Sequence, residues 1–128
     1  MAKRISPKSP RKQRRFVRNS GQHAHRSMLR CRLDDPLREE YGLRSLNVKK
    51  GDLVRIMRGQ FRDTEGKILG VDYSAIRVFV DGASTTKADG KEARVPLHPS
   101  SLMLVKLELN DERKKRIQAK AAKIAESE

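Results

Sequence analysis

The chain has 128 residues, a formal net charge of +14, and equal shares of apolar and charged residues at 36% each. That length suits one small domain with tails. The apolar share is too low for all of it to fold around one core, and the charge asks for a polyanionic partner: nucleic acid first, then an anionic membrane surface, then acidic proteins.

Two Tyr, three Phe and no Trp leave little material for an aromatic base-stacking platform, which favours recognition of backbone and shape. The one cysteine, Cys31, excludes an intrachain disulfide. No apolar segment follows the basic start, and the longest clean apolar run, Leu102 to Val105, is far too short for a membrane span.

In chain order, the first element is an arm. Residues 1–33 contain no acid and 11 basic residues (Lys3, Arg4, Lys8, Arg11, Lys12, Arg14, Arg15, Arg18, Arg26, Arg30 and Arg32), a charge of +11. The remainder holds 19 basic and 16 acidic residues, or +3. The early arm, Ser6 to Lys12, has two prolines and no hydrophobic period, so it is not expected to order by itself. Its purely cationic, Arg-dominated character points to phosphate contact, because guanidinium groups bind phosphate bidentately. A short helix is expected around His23 to Leu29. A second has Asp35 as cap and Pro36 at its first position, and Gly42 ends it. Residues 44–47 read as a linker.

From Val48 the period changes to two. Val54 and Ile56 alternate with Arg55; Lys67 to Val71 is a second apolar run; Ile76, Val78 and Val80 alternate with Arg77 and Phe79. A long polar loop over Ala83 to Gly90 precedes two more strands, Ala93 to Leu97 and Leu102 to Leu107, with a turn at His98-Pro99-Ser100. Five short strands with close turns predict a mainly β domain closed as a small barrel, since closure removes exposed edges. At the C-terminus, Asn110 or Asp111 can cap a helix. Ile117, Ala121 and Ile124 share one face, and Arg113, Lys114, Lys115, Arg116, Lys120 and Lys123 decorate the rest. The division is a basic extension with short helices at 1–47, the barrel at 48–107 and a helical tail at 108–128.

The stretch VKKGDLVRIMRG at 48–59, continued by GKILGV at 66–71, resembles the KOW motif, in which aliphatics fill a five-stranded SH3-like barrel. The flanks LREEYGLRSL at 37–46, LHPSSL at 97–102 and DERKKR at 111–116 resemble a family of large-subunit ribosomal proteins, numbered twenty-four in bacteria and twenty-six in eukaryotes. The resemblance runs from about Arg15 to Lys120 and is closest to the archaeal and eukaryotic form, which carries the arm; the short C-terminus is of archaeal type. One departure is Asp63, where the family often has Gly.

The resemblance implies a ribosome-bound cytoplasmic protein. It would bind the 5′ domain of 23S-type rRNA, nucleate subunit assembly, lie near the polypeptide exit tunnel and touch neighbouring ribosomal proteins. The expected rRNA contacts are Arg4, Lys8, Arg11, Lys12, Arg14, Arg15, Arg18, His23, Arg26, Arg30 and Arg32 from the arm, then Arg44, Lys49, Lys50, Arg55, Arg58 and Arg62. Lys87 and Lys91 in the long loop either add a contact or face solvent.

Other chemistry is weakly supported. His23, His25 and Cys31 are metal-capable, but a structural zinc site needs four ligands in paired spacing, and no second pair exists. Asp34-Asp35 and Glu39-Glu40 read as capping and a solvated helix face. No phosphate-binding loop, nucleophile elbow or dinucleotide fingerprint is present. No cofactor, small-molecule substrate, membrane anchor or enzymatic activity is expected. The alternatives are a KOW-type transcription elongation factor and an architectural DNA-binding protein.

Overall fold

A computed structural model describes residues 7–127. Helix α1 (Pro10–Asn19) is followed by α2 (Gln22–Met28), strand β1 (Arg30–Leu33), α3 (Asp35–Tyr41) and β2 (Ser45–Asn47). Then come β3 (Leu53–Ile56), β4 (Glu65–Asp72), β5 (Arg77–Val80), β6 (Ser84–Thr86), β7 (Glu92–Arg94), a single 3-10 turn, β8 (Leu102–Lys106) and α4 (Asp111–Ser127).

Local chemistry explains the helix ends. Pro10 opens α1 at a position that needs no amide donor, and the straight-chain residues after it favour helix. The helix therefore begins inside the stretch the sequence left unordered. Asp34, one residue earlier than expected, caps α3; Gly42 closes it in the left-handed region at φ 64°, where its amide donates to the Arg38 carbonyl.

Six strands form one sheet in the order β2-β1-β8-β3-β4-β5, and β6 and β7 make a separate hairpin. The domain is β-rich, as expected, but the sheet does not close into a five-stranded barrel. β1 and β2 lie at one end of it, with β1 parallel to β8 and antiparallel to β2. Two strands thus come from the stretch assigned to the extension and linker. β4 serves two neighbours: its first half pairs with β3 and its second with β5 across a register shift between Ile68 and Gly70. That irregularity bends the strand, as β-bulges do. Gly66, opposite Val54 and before the shift, is required because a Cβ would stand 2.2 Å from the Asp81 carbonyl oxygen.

The open edges are covered. Val78 and Leu97 form a bridge that protects β5. At the other edge, α4 supplies the donors: Lys120 Nζ donates to the Ser45 carbonyl at 3.2 Å, and Arg113 donates to that of Asn47 at 3.1 Å. The core gathers Leu29, Cys31, Leu33, Val54, Ile56, Ile68, Val78, Val80, Leu102, Leu104 and Ile117. Two turns use left-handed backbone without glycine. Asp63, at φ 66°, stands where glycine fits freely. Ile76, at φ 56°, is unusual for a β-branched residue, and burial of its side chain holds it.

Beneath the sheet lies a buried ion pair. Asp52 is 0% exposed and Arg113 3%. Arg113 donates to Asp52 Oδ1 at 2.5 Å and Oδ2 at 2.7 Å, and also to the Glu108 carbonyl. Asp52 further accepts from the amides of Lys49 and Glu108. Arg113, assigned by the sequence to the exposed basic face of α4, is therefore a core residue.

Removing one partner of such a pair leaves an uncompensated buried charge, at a cost of ~3–5 kcal/mol. Arg113→Met should lose about that much in urea denaturation, and Asp52→Leu should lose more, because two amides also lose their acceptor. The double variant should be less destabilised than the sum of the singles. Additivity within ~0.5 kcal/mol would show the two residues to be energetically independent.

Candidate nucleic-acid interface

Helix α1 buries none of its side chains and contains no acid. Arg11, Arg14, Arg15 and Arg18 fall at i, i+3, i+4 and i+7 and line one cleft on its face. Like charges at these spacings oppose the helix by ~0.2–0.5 kcal/mol per pair, so the stripe gains stability from an anion laid along it. The helix is anchored only lightly: Val17 packs against the core, and its carbonyl lies 2.7 Å from His25 Nε2. Phe16 stays 45% exposed beside the stripe.

A second group of cations surrounds a cleft of about 200 Å³ between α2, β2 and α4. Arg26, Arg30 and Lys49, all expected contacts, meet Arg116 and Lys120 here. Burial, and then the nearby Arg30 charge, lower the Lys120 pKa from its ordinary value. In the sequence, Arg116 and Lys120 read only as decoration of α4. Their spacing of four, flanking Ile117, was the signal that both stand beside the packed face.

The other expected residues are spread more widely. Arg4 lies outside the described residues. Lys8, Lys12, His23, Arg44, Lys50, Arg58 and Arg62 are exposed. Arg32 is exposed and 3.9 Å from Asp35, and Arg62 is 3.9 Å from Asp63. Arg55 donates from Nε and a terminal nitrogen to Glu65 Oε1 at 2.8 and 2.5 Å, a bond that raises its pKa. Arg55, Arg58 and Arg62 line neither the α1 stripe nor the second cleft. Lys87 and Lys91 sit at the exposed turn of the β6–β7 hairpin.

His23, His25 and Cys31 do not form a ligand set. His23 is exposed, His25 points to Val17, and the Cys31 thiol donates to the Pro99 carbonyl at 3.1 Å. Among the described residues no group of three or more His, Cys, Asp or Glu is placed to hold a metal ion. None of the described helices is long and apolar enough to cross a membrane.

Residues 7–120 match a family described as eukaryotic ribosomal protein L26 and its archaeal L24-type counterpart. A relative from Methanosphaera stadtmanae, named large ribosomal subunit protein uL24, is 48% identical over 107 residues, covering 84% of this chain and 92% of its own. A second of the same name, from Korarchaeum cryptofilum, is 38% identical over 123 residues, covering 95% and 94%.

Burial, and secondarily the charge of Asp52, push the Cys31 thiol up to about 12. A raised pKa means the folded state holds the proton more tightly. This stabilisation is complete below the unfolded thiol pKa of ~8.5 and is lost as pH rises toward the folded value. Stability should therefore fall above pH ~9 by up to ~1.4 kcal/mol per pH unit from this group, and Cys31→Ala should flatten that part of the profile. Chemical denaturation at stepped pH checks it; parallel profiles would show that the thiol titrates as freely in the fold as outside it.

Proposed function

The chain belongs to the family of eukaryotic L26 and archaeal L24-type ribosomal proteins, and from that premise we propose that it is a structural component of the large ribosomal subunit that binds 23S-type rRNA. Membership makes it a ribosomal protein and not an enzyme. In this reading it sits on ribosomes in the cytoplasm, engages the 5′ domain of the rRNA, nucleates assembly, lies near the polypeptide exit tunnel and touches neighbouring ribosomal proteins.

One observation carries the reading: the acid-free arm folds as an exposed helix whose four arginines share a face and bury nothing. Apart from Val17, such a helix contributes nothing to the core of this chain. It has the form of a phosphate-neutralising element that threads between RNA helices, with charge as the source of affinity. The proposed phosphate contacts are Arg4, Lys8, Arg11, Lys12, Arg14, Arg15 and Arg18, with His23, Arg26, Arg30 and Arg32 next along the chain. Arg44, Lys49 and Lys50 extend the surface toward the sheet. Arg58 and Arg62 add contacts from the β3–β4 turn, as does Arg55 once Glu65 shares or releases it.

Six to ten phosphate contacts imply a loss of ~10³–10⁵-fold in rRNA affinity between ~50 and ~200 mM salt. The arm must be cut before α2, because β1 begins at Arg30 and carries core side chains. Deleting residues 1–20 should leave a cooperative fold and lower the salt slope by ~0.9 for each phosphate that is no longer neutralised. Double-stranded DNA at equal salt should compete poorly. Unchanged affinity after truncation, or equal binding of DNA, would contradict the proposal.

A further inference from the structure

We propose that the cleft between α2, β2 and α4 receives a single RNA nucleotide swung out of its stack, with its phosphate on the cationic rim and its base against Tyr73 and the apolar floor. The inference rests on the rRNA-binding reading and deepens it: it names a site for an unpaired nucleotide in addition to the duplex phosphates engaged by α1.

The cleft has two chemically different parts. The rim carries Arg26, Arg30, Lys49, Arg116 and Lys120, and no acidic side chain contributes to the lining. Among the described residues none of these five makes an ion pair. Arg113 also reaches the wall, but Asp52 neutralises it. Five cations held around one depression without a counter-charge repel one another, and an anion placed among them relieves that repulsion. Burial first, and then the charge of Arg30, lower the proton affinity of Lys120, in keeping with this crowding.

The floor is apolar. Leu29, Leu46, Val48 and Ile117 form it, and Tyr73 stands at its edge, 39% exposed. A site for a bare phosphate needs neither the floor nor the ring. An unstacked base needs both, since RNA modules hold splayed bases by stacking them on aromatic rings. The volume of about 200 Å³ lies below the ~300–1,000 Å³ of drug-sized sites, so it suits one base with its phosphate left on the rim and excludes a helix end.

The backbone that bears Tyr73 is held in position. The turn that bears it is pinned by Asp72 Oδ1, which accepts from the amides of Ser74 and Ala75 at 3.0 and 3.2 Å. Ile76 anchors the same turn through its buried side chain. The rim on the opposite side is set by α4, whose position is fixed by Arg113. A preformed shape of this kind loses little entropy on binding.

The test uses the full chain on large-subunit rRNA and the assembled subunit. Ultraviolet crosslinking, with adducts mapped by mass spectrometry, should join Tyr73 or residues 46–49 to one unpaired nucleotide. Tyr73→Leu should weaken rRNA affinity about 10-fold with an unchanged salt slope. Arg116→Gln should weaken it and lower the slope by about one. Both side chains are at the surface, and matching thermal melts establish that the variants fold. If rRNA binds through the arm but neither variant differs from the wild type and adducts are confined to α1, the nucleotide site is wrong and the ribosomal reading survives. If the cleft crosslinks instead to an acidic segment of a neighbouring protein, the occupant is a peptide and the proposal falls. If the wild-type chain shows no salt-dependent rRNA binding, the broader reading falls, and this one with it.

Discussion

Asp52 has no exposed surface, yet three parts of the chain converge on it. Its carboxylate takes the Arg113 guanidinium from α4, the amide of Lys49 two residues past β2, and the amide of Glu108 just past β8. Arg113 in turn donates to the carbonyls of Glu108 and Asn47. Burying two charges is costly, and their attraction offsets that cost only when the remaining donors and acceptors are also satisfied. This pair meets the condition. It locks α4 against the open edge of the sheet, and with it one wall of the cationic cleft. Without it, α4 would rest on the packing of Ile117 and Ala121, its contact with α3 and the Lys120 bond.

This division between a neutralised interior and an unneutralised exterior explains the charge distribution. Among the described residues the one deeply buried cation is paired, whereas those on α1 and around the cleft are exposed or half-buried and mostly unpaired. Arg55 lies between the two cases, engaged with Glu65 in a solvent-exposed pair of the kind that contributes little to stability. The +14 net charge is thus largely a property of the surface offered to a partner.

Much of the β structure was legible because alternation is a strong signal. Val54-Arg55-Ile56 and Val78-Phe79-Val80 show period two, and the structure buries the expected members of each. Pro36 and Gly42 marked α3 to within a residue. The misses have physical causes. β1 reads Arg-Cys-Arg-Leu, and its alternation hid inside a run of cations taken for an arm; Cys31 and Leu33 are the buried half. β2 is three half-buried residues, too short to show a period. Barrel closure follows from strand count only when every edge finds a partner strand, and here α4 covers one edge instead. Arg113 was missed because it stands in a run of like charges, although its spacing of four from Ile117 put it on the packed face. The candidate interface was legible in composition but not in layout. Sequence counting found the cations of the arm; only the fold brought Arg30 and Lys49 together with Arg116 and Lys120.

If charge supplies the affinity, the chain must hold to the large subunit at low salt and come off steeply as salt rises. Sedimentation of a native cell extract through gradients at stepped salt, with detection of this chain, tests that most directly. The chain should sediment with the large ribosomal subunit at ~50 mM salt and be released progressively as salt is raised. Release to the top of the gradient already at low salt, or migration with DNA or RNA polymerase, would contradict it.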